Sequence, residues 1–197
     1  STQVAISPDK RDMFITAGIT EGVQYTLGEV KVTGDTVLPL EDIQKLVLVK
    51  EGQIFSRAML EFTSDAITAT LGNIGYAFAQ VNPIPTVDRD NQTVAINLQV
   101  VPGPRVNVRH IVFKGNTRTA DEVLRREMRQ FEGAWFSQAA VDRSKIRLQR
   151  LGFFETVDVE TPAVPGSNDQ VDVVYSVKET TSGSFVFGLG YSQLSGL

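Results

Sequence analysis

His110 is the one histidine of this 197-residue chain, and cysteine is absent. A Ser-His-Asp triad needs its imidazole cornered by a nucleophile and an acid, and a protein zinc site needs further His or Cys ligands. His110 instead falls in a run that reads as a strand, with Arg109 and Ile111 expected on the opposite face, so it is read as a solvent-facing strand residue. The carboxylate pairs Glu41-Asp42 and Asp121-Glu122 sit where helices are expected to start, and negative charge there complements the helix dipole. They read as caps, not as an acid–base pair. No GxxxxGK[ST] occurs, and no GxGxxG follows a strand, so no phosphate cradle is predicted. Catalytic, metal and cofactor sites are all expected to be absent, which leaves non-covalent chemistry carried by charge and by backbone.

The charge is concentrated in the stretch from Thr119 to Phe154, which reads as two helices back to back. Thr119 with Glu122 has the spacing of a capping box, so a helix is predicted from near Ala120. Leu124, Met128 and Phe131 recur at helical spacing as its apolar face, and Gly133 ends it. Asp121 with Arg125 and Glu122 with Arg126 are acid-first pairs four apart, worth about 0.3–0.5 kcal/mol each on a solvated face. Glu127 differs, because it lies at the edge of the apolar stripe between Leu124 and Phe131. Together with Arg125, Arg126 and Arg129 it is the candidate for docking a partner. Trp135, in the turn between the helices, is expected to anchor in the core. Ser137 caps the second helix, whose buried stripe is Val141, Ser144, Leu148 and Leu151, closed by Gly152.

Composition bounds the rest. With 42% hydrophobic and 21% charged residues, the chain has material for two domains of roughly 80–100 residues. Its 19 Lys and Arg against 23 Asp and Glu, net −4, argue against a general nucleic-acid binder. The lack of cysteine suits an oxidising compartment. No apolar run of about 18 residues crosses a membrane as a helix. Ser1 reads as a boundary inside a longer protein.

The helices belong to a repeat. Gly22, Gly34 and Gly52 return as Gly103, Gly115 and Gly133, an offset of 81 residues. The same offset carries Leu27, Val30 and Val32 onto Val108, Ile111 and Phe113, and Phe55-Ser56 onto Phe136-Ser137. Farther on, Val94, Ile96, Leu98 and Val100 match Val171, Val173, Tyr175 and Val177 at an offset of 77, so the first copy has one extra helical turn. Such self-similarity marks a tandem array of one supersecondary unit.

Each unit reads strand, helix, helix, strand, strand, an α+β βααββ arrangement with a three-stranded mixed sheet covered on one face by two antiparallel helices. In the first copy the second strand carries Pro83 and Pro85, which cannot donate to a ladder, so it belongs at an edge and the spatial order is 1-3-2. The predicted division is residues 1–23 as the end of a preceding repeat, 24–102 and 103–179 as two repeats, and 180–197 as the start of a transmembrane strand. That last reading rests on GSFVFGLGYS, where Phe185, Phe187, Leu189 and Tyr191 share one face. Pro102-Gly103-Pro104 is expected to be a short, stiff hinge. Of the sheet edges, the strand bearing Glu155, Val157, Val159 and Thr161 is the candidate for adding an extended chain, since its counterpart is blunted by proline.

The βααββ units, the run VLRREMRQFEGAWF, the run RLQRLGFFETVDVETPAVPGSNDQVDVVYSVKE and the closing GSFVFGLGYS resemble the last two POTRA domains of the BamA family of outer-membrane β-barrel assembly factors. The resemblance covers nearly the whole chain and is most specific over residues 120–191. It implies a periplasmic arm ahead of a membrane barrel in a Gram-negative outer membrane, bound to assembly lipoproteins and engaged with unfolded outer-membrane β-barrel proteins, with no enzymatic step and no nucleic acid. The nearest alternative is a POTRA arm of a secretion porin or another barrel translocase, which VLRREMRQFEGAWF disfavours. An alternative of another class is a small periplasmic enzyme domain. Some 300–400 downstream residues of alternating strands would separate these readings.

Overall fold

The computed structural model describes residues 2–6, 13–17 and 23–180. Strands β1 (Thr2–Ile6) and β2 (Met13–Ala17) pair antiparallel. The chain continues through β3 (Thr26–Gly34), α1 (Leu40–Leu46), α2 (Arg57–Gly72), β4 (Gln80–Asp88) and β5 (Thr93–Val101). It then repeats the series as β6 (Asn107–Lys114), α3 (Asp121–Arg126), α4 (Gln138–Arg150), β7 (Phe154–Glu160) and β8 (Gln170–Glu179). The sheets run β3-β5-β4 and β6-β8-β7, the expected order 1-3-2 in both copies. The strand anticipated to begin after Lys178 falls among residues 181–197, outside the described residues.

Central strands carry the core because only they are flanked on both sides. Val94, Ile96, Leu98 and Val100 alternate inward on β5, each no more than 4% exposed. On β8, Val171, Val173, Tyr175 and Val177 do the same and join Leu124, Met128, Phe136, Val141 and Leu148 in one apolar cluster. Burying each such side chain stabilises by roughly 1.5–3 kcal/mol. Tyr175 stacks on Phe113 with ring centroids 5.8 Å apart, and its hydroxyl donates to the Val141 carbonyl of α4.

The first strand of each unit pairs in parallel with the third and slips register at the same place, between Leu27 and Val30 and between Val108 and Ile111. The slip explains why the apolar positions in both copies are three apart rather than two. It also places Arg109 and His110 together at the surface, whereas alternation expects Arg109 behind the strand. Arg109 forks onto Asp172 of β8 through Nε–Oδ1 at 2.9 Å and Nη2–Oδ2 at 2.6 Å. The His110 amide, freed by the bulge, donates to the same carboxylate. Arg109 holds the Asp172 carboxyl below its usual range, against the opposing effect of burial.

The chain divides into two compact units, one of residues 1–67 with 81–101, the other of residues 68–80 with 102–197. The boundary at 101/102 coincides with the start of Pro102-Gly103-Pro104, yet residues 68–80, which the repeat count gives to the first copy, group with the second unit. Backbone and side-chain hydrogen bonds tie them into that unit. The Ile74 and Gly75 carbonyls accept from Arg105 Nε and the Val106 amide, both at 2.8 Å, and the Asn73 side chain accepts from the Ala139 amide. Pro102 is buried, and Gly103 takes the positive φ of +68°.

Candidate docking site and strand edges

Three expectations about the helical stretch are corrected. First, α3 starts at Asp121 with Ala120 as its N-cap, and no side chain caps it, so Thr119 and Glu122 do not form a capping box. The Thr119 amide donates instead to Glu179 at the end of β8, at 2.8 Å. Second, α3 is only six residues long and ends at Arg126. Phe131 therefore leaves the stripe and is 65% exposed, while Phe136 takes the core position at 1%. Third, Trp135 is 47% exposed, with the Arg105 guanidinium 4.0 Å over its ring, rather than anchored in the core. The second helix agrees with expectation: Ser137 caps α4 by accepting from the Ala140 amide, and Val141, Ser144 and Leu148 are buried, with Leu151 partly so.

The early end of α3 follows from what the next residues must do. Between Met128 and Phe136 the chain turns back along β6, so its amides are spent on that strand. Gln130, 2% exposed, braces the turn by donating to the Phe131 and Trp135 carbonyls and accepting from the Ser137 amide. Pattern reading missed it, although its counterpart at the 81-residue offset, Val49, is also buried.

Glu127 caps the C-terminal end of α3. Its side chain is 20% exposed, and Oε2 meets Nη2 of Arg147 on α4 at 2.7 Å. An internal cation thus accounts for a carboxylate at the margin of the core. Arg147 carries its own tension, since its Nε is buried without a hydrogen-bond partner. Around this pair the arginines divide. Arg126 is exposed; the Arg129 amide donates to the buried Ser144 hydroxyl at 2.8 Å and its guanidinium to the Met128 carbonyl; Arg125 turns to Glu132 and the Ile111 carbonyl. Glu127 and Arg126 therefore present charge at the end of α3, while Arg125 and Arg129 are engaged within the unit.

At the other side of the sheet, β7 pairs antiparallel with β8 and is the edge strand. Glu155 is exposed and ion-paired with Lys178, Val157 is 3% exposed in the core, Val159 is partly buried against it, and Thr161 lies just beyond the strand. Proline at Val157 or Val159 would remove core packing as well as an edge donor, so the edge is better probed by a photoreactive side chain at the exposed Thr156 or Asp158, which leaves both in place.

The Glu179 cluster was also hidden from the sequence, because its partners lie about sixty residues away. Its carboxylate accepts from the Thr117 hydroxyl and the amides of Arg118 and Thr119, and it pairs with Arg118 Nε at 3.3 Å. The hydrogen bond from the Thr119 side chain contributes most to lowering its pKa to about 2, with burial opposing. Because the folded value lies below the ordinary one of 4.5, the stabilisation is complete above that value and is lost as pH falls through about 2. In a carbon-detected NMR titration the Glu179 carboxyl should therefore titrate near 2 in the folded protein; a midpoint near the ordinary glutamate value would show the carboxylate to be free. Among the described residues no cluster of His, Asp or Glu could hold a metal ion.

Comparison with known proteins agrees with this geometry. The POTRA family model, the surface antigen variable number repeat, matches residues 25–103 and 106–180. The outer membrane protein assembly factor BamA of Neisseria meningitidis is 32% identical over 197 residues, all of this chain and 25% of the relative. The chain spans about a quarter of the length of that curated relative. The crystal structure of Haemophilus influenzae BamA POTRA3-5 is 41% identical with a TM-score of 0.82, covering 91% of this chain and 71% of that one. That of Haemophilus ducreyi BamA lacking POTRA domains 1-3 is 43% identical with a TM-score of 0.68, covering 81% and 30%. With the βααββ unit present twice, each copy matched by the family model, the chain belongs to the POTRA family, of the kind carried by the BamA outer membrane protein assembly factors.

Proposed function

We infer that this chain is part of the periplasmic arm of an outer-membrane β-barrel assembly factor and acts without covalent chemistry, as a scaffold at the periplasmic face of the outer membrane. In this reading assembly lipoproteins dock at the end of α3, where Glu127 is oriented by Arg147 and flanked by Arg126, while Arg125 and Arg129 are spent on hydrogen bonds within the unit and take no part in docking. Unfolded β-barrel proteins pass along the edge of β7. The observation that carries the reading is that edge: a strand hydrogen-bonded on one side and lined by the exposed Thr156 and Asp158. Strand addition uses backbone groups every client possesses, so it accepts sequences that share little beyond β-propensity.

A photoreactive amino acid at Asp158 of the full-length protein should crosslink to a urea-unfolded outer-membrane β-barrel protein several-fold more than one at Arg143 on the exposed side of α4. Equal yields at the two positions would remove β7 from the path of the client.

A further inference from the structure

The two edges of the second sheet are not equivalent. In a parallel pair the amide and carbonyl of one residue point to the same side, and successive residues alternate, so β6 and the residue before it offer an outward ladder at Val106, Val108, Ile111 and Phe113. The first three of these positions are already occupied. The Val106 amide donates to the Gly75 carbonyl and its carbonyl accepts from the Phe136 amide; the Val108 amide donates to the Ala134 carbonyl and its carbonyl accepts from the Gly133 amide. At Ile111 two side chains replace backbone. Glu132 Oε1 accepts from the Ile111 amide at 2.7 Å, Arg125 Nη2 donates to the Ile111 carbonyl at 3.2 Å, and the two side chains meet at 3.4 Å. The Arg125 guanidinium also lies 5.5 Å from the centre of the Phe113 ring, beside the next outward position.

The first unit supplies the comparison. There the interhelix turn bonds the strand in the same way: the Tyr25 carbonyl accepts from Phe55, and the Leu27 amide and carbonyl bond to Gln53 and Gly52. The 81-residue offset then puts Val30, Gln44 and Glu51 where the second unit has Ile111, Arg125 and Glu132. Among the described residues no hydrogen bond joins Gln44 or Glu51 to Val30, and all three line an open groove of about 670 Å³. The glutamate is common to both units; the arginine is not. As an ion pair with both partners more than two-fifths exposed, Arg125–Glu132 adds little stability, so its placement on the backbone of Ile111 calls for another account.

We propose that Arg125 and Glu132 form a clasp that closes the outer edge of β6 to strand addition, leaving β7 as the edge of the second sheet that an extended chain can join. The proposal rests on the reading that unfolded chains are received by strand addition, and it names the residues that choose the edge. An open edge on both sides would let two extended chains, or both ends of one, pair with the same sheet; the clasp limits it to one.

The test uses the full-length protein with a photoreactive amino acid at Lys114, beside the outer edge of β6, or at Asp158 on β7, and a urea-unfolded outer-membrane β-barrel protein as the probe. In the native background Asp158 should crosslink and Lys114 should not. Arg125→Gln, which copies the first unit, and the double variant Arg125→Gln with Glu132→Ala should raise the Lys114 yield several-fold with Asp158 unchanged, and should speed hydrogen exchange at the Ile111 amide while Val173 in the central strand stays protected. If Lys114 remains silent in the double variant while Val173 stays protected and Asp158 still crosslinks, the clasp is not what closes the edge. Silence at both positions in every background would instead sink the strand-addition reading itself.

Discussion

Gly115→Ala is expected to lower the melting temperature of the second repeat by more than about 12 °C, the equivalent of roughly 3 kcal/mol or more for a domain of this size. Gly115 follows β6 with φ of +87°, and a Cβ built there would overlap the carbonyl oxygen of Val177 on the neighbouring central strand. The left-handed conformation alone costs an ordinary residue about 1–2 kcal/mol. The overlap adds to this because its partner is backbone in the middle of a sheet and cannot rotate away. Gly34 repeats the arrangement in the first unit against Val100. Gly133 provides the control: its φ is +77°, but nothing lies within 4 Å of a Cβ there. Gly133→Ala should therefore show only the conformational penalty, and equal losses from the two substitutions in thermal melts would mean that the close approach to Val177 contributes nothing.

The repeat is what made the fold readable. Each copy reports on the other, so the glycines, the three-residue spacing at the bulge and the alternation of the central strand could be cross-checked within one chain. Pro83 and Pro85 fixed β4 at an edge and thereby the order of both sheets. Local periodicity failed where residues are used by something distant. Phe131 sits at helical spacing from Leu124 and Met128, but the chain after Arg126 is drawn off to cover the edge of β6, where Gly133 and Ala134 bond to Val108. Thr119 and Glu122 have capping-box spacing, but Glu179, sixty residues on, takes the Thr119 amide. Glu127 stands at the edge of the apolar stripe of its own helix, but its cation stands on α4. In each case the competing interaction is tertiary, and the pattern on one element carries no trace of it.

The Glu127–Arg147 pair gives docking its sharpest test, because it separates a residue that holds the unit together from one that holds a partner. Glu127→Lys puts a lysine against Arg147, so it should cost stability on the order of 1 kcal/mol for a pair still partly in water, and should weaken docking by about 2–5 kcal/mol if the carboxylate also meets a partner's cation, a loss of at least about 30-fold. Exchanging the two charges, Glu127→Arg with Arg147→Glu, restores the internal pair while presenting the wrong sign outward. The decisive measurement is co-purification of the assembly lipoproteins with the full-length protein from detergent-solubilised outer membranes, alongside the melting temperature of each variant. A docking arm predicts that the exchanged pair regains the native melting temperature and still loses the lipoproteins; their return together with the melting temperature would show that Glu127 serves only the fold, and would contradict the account.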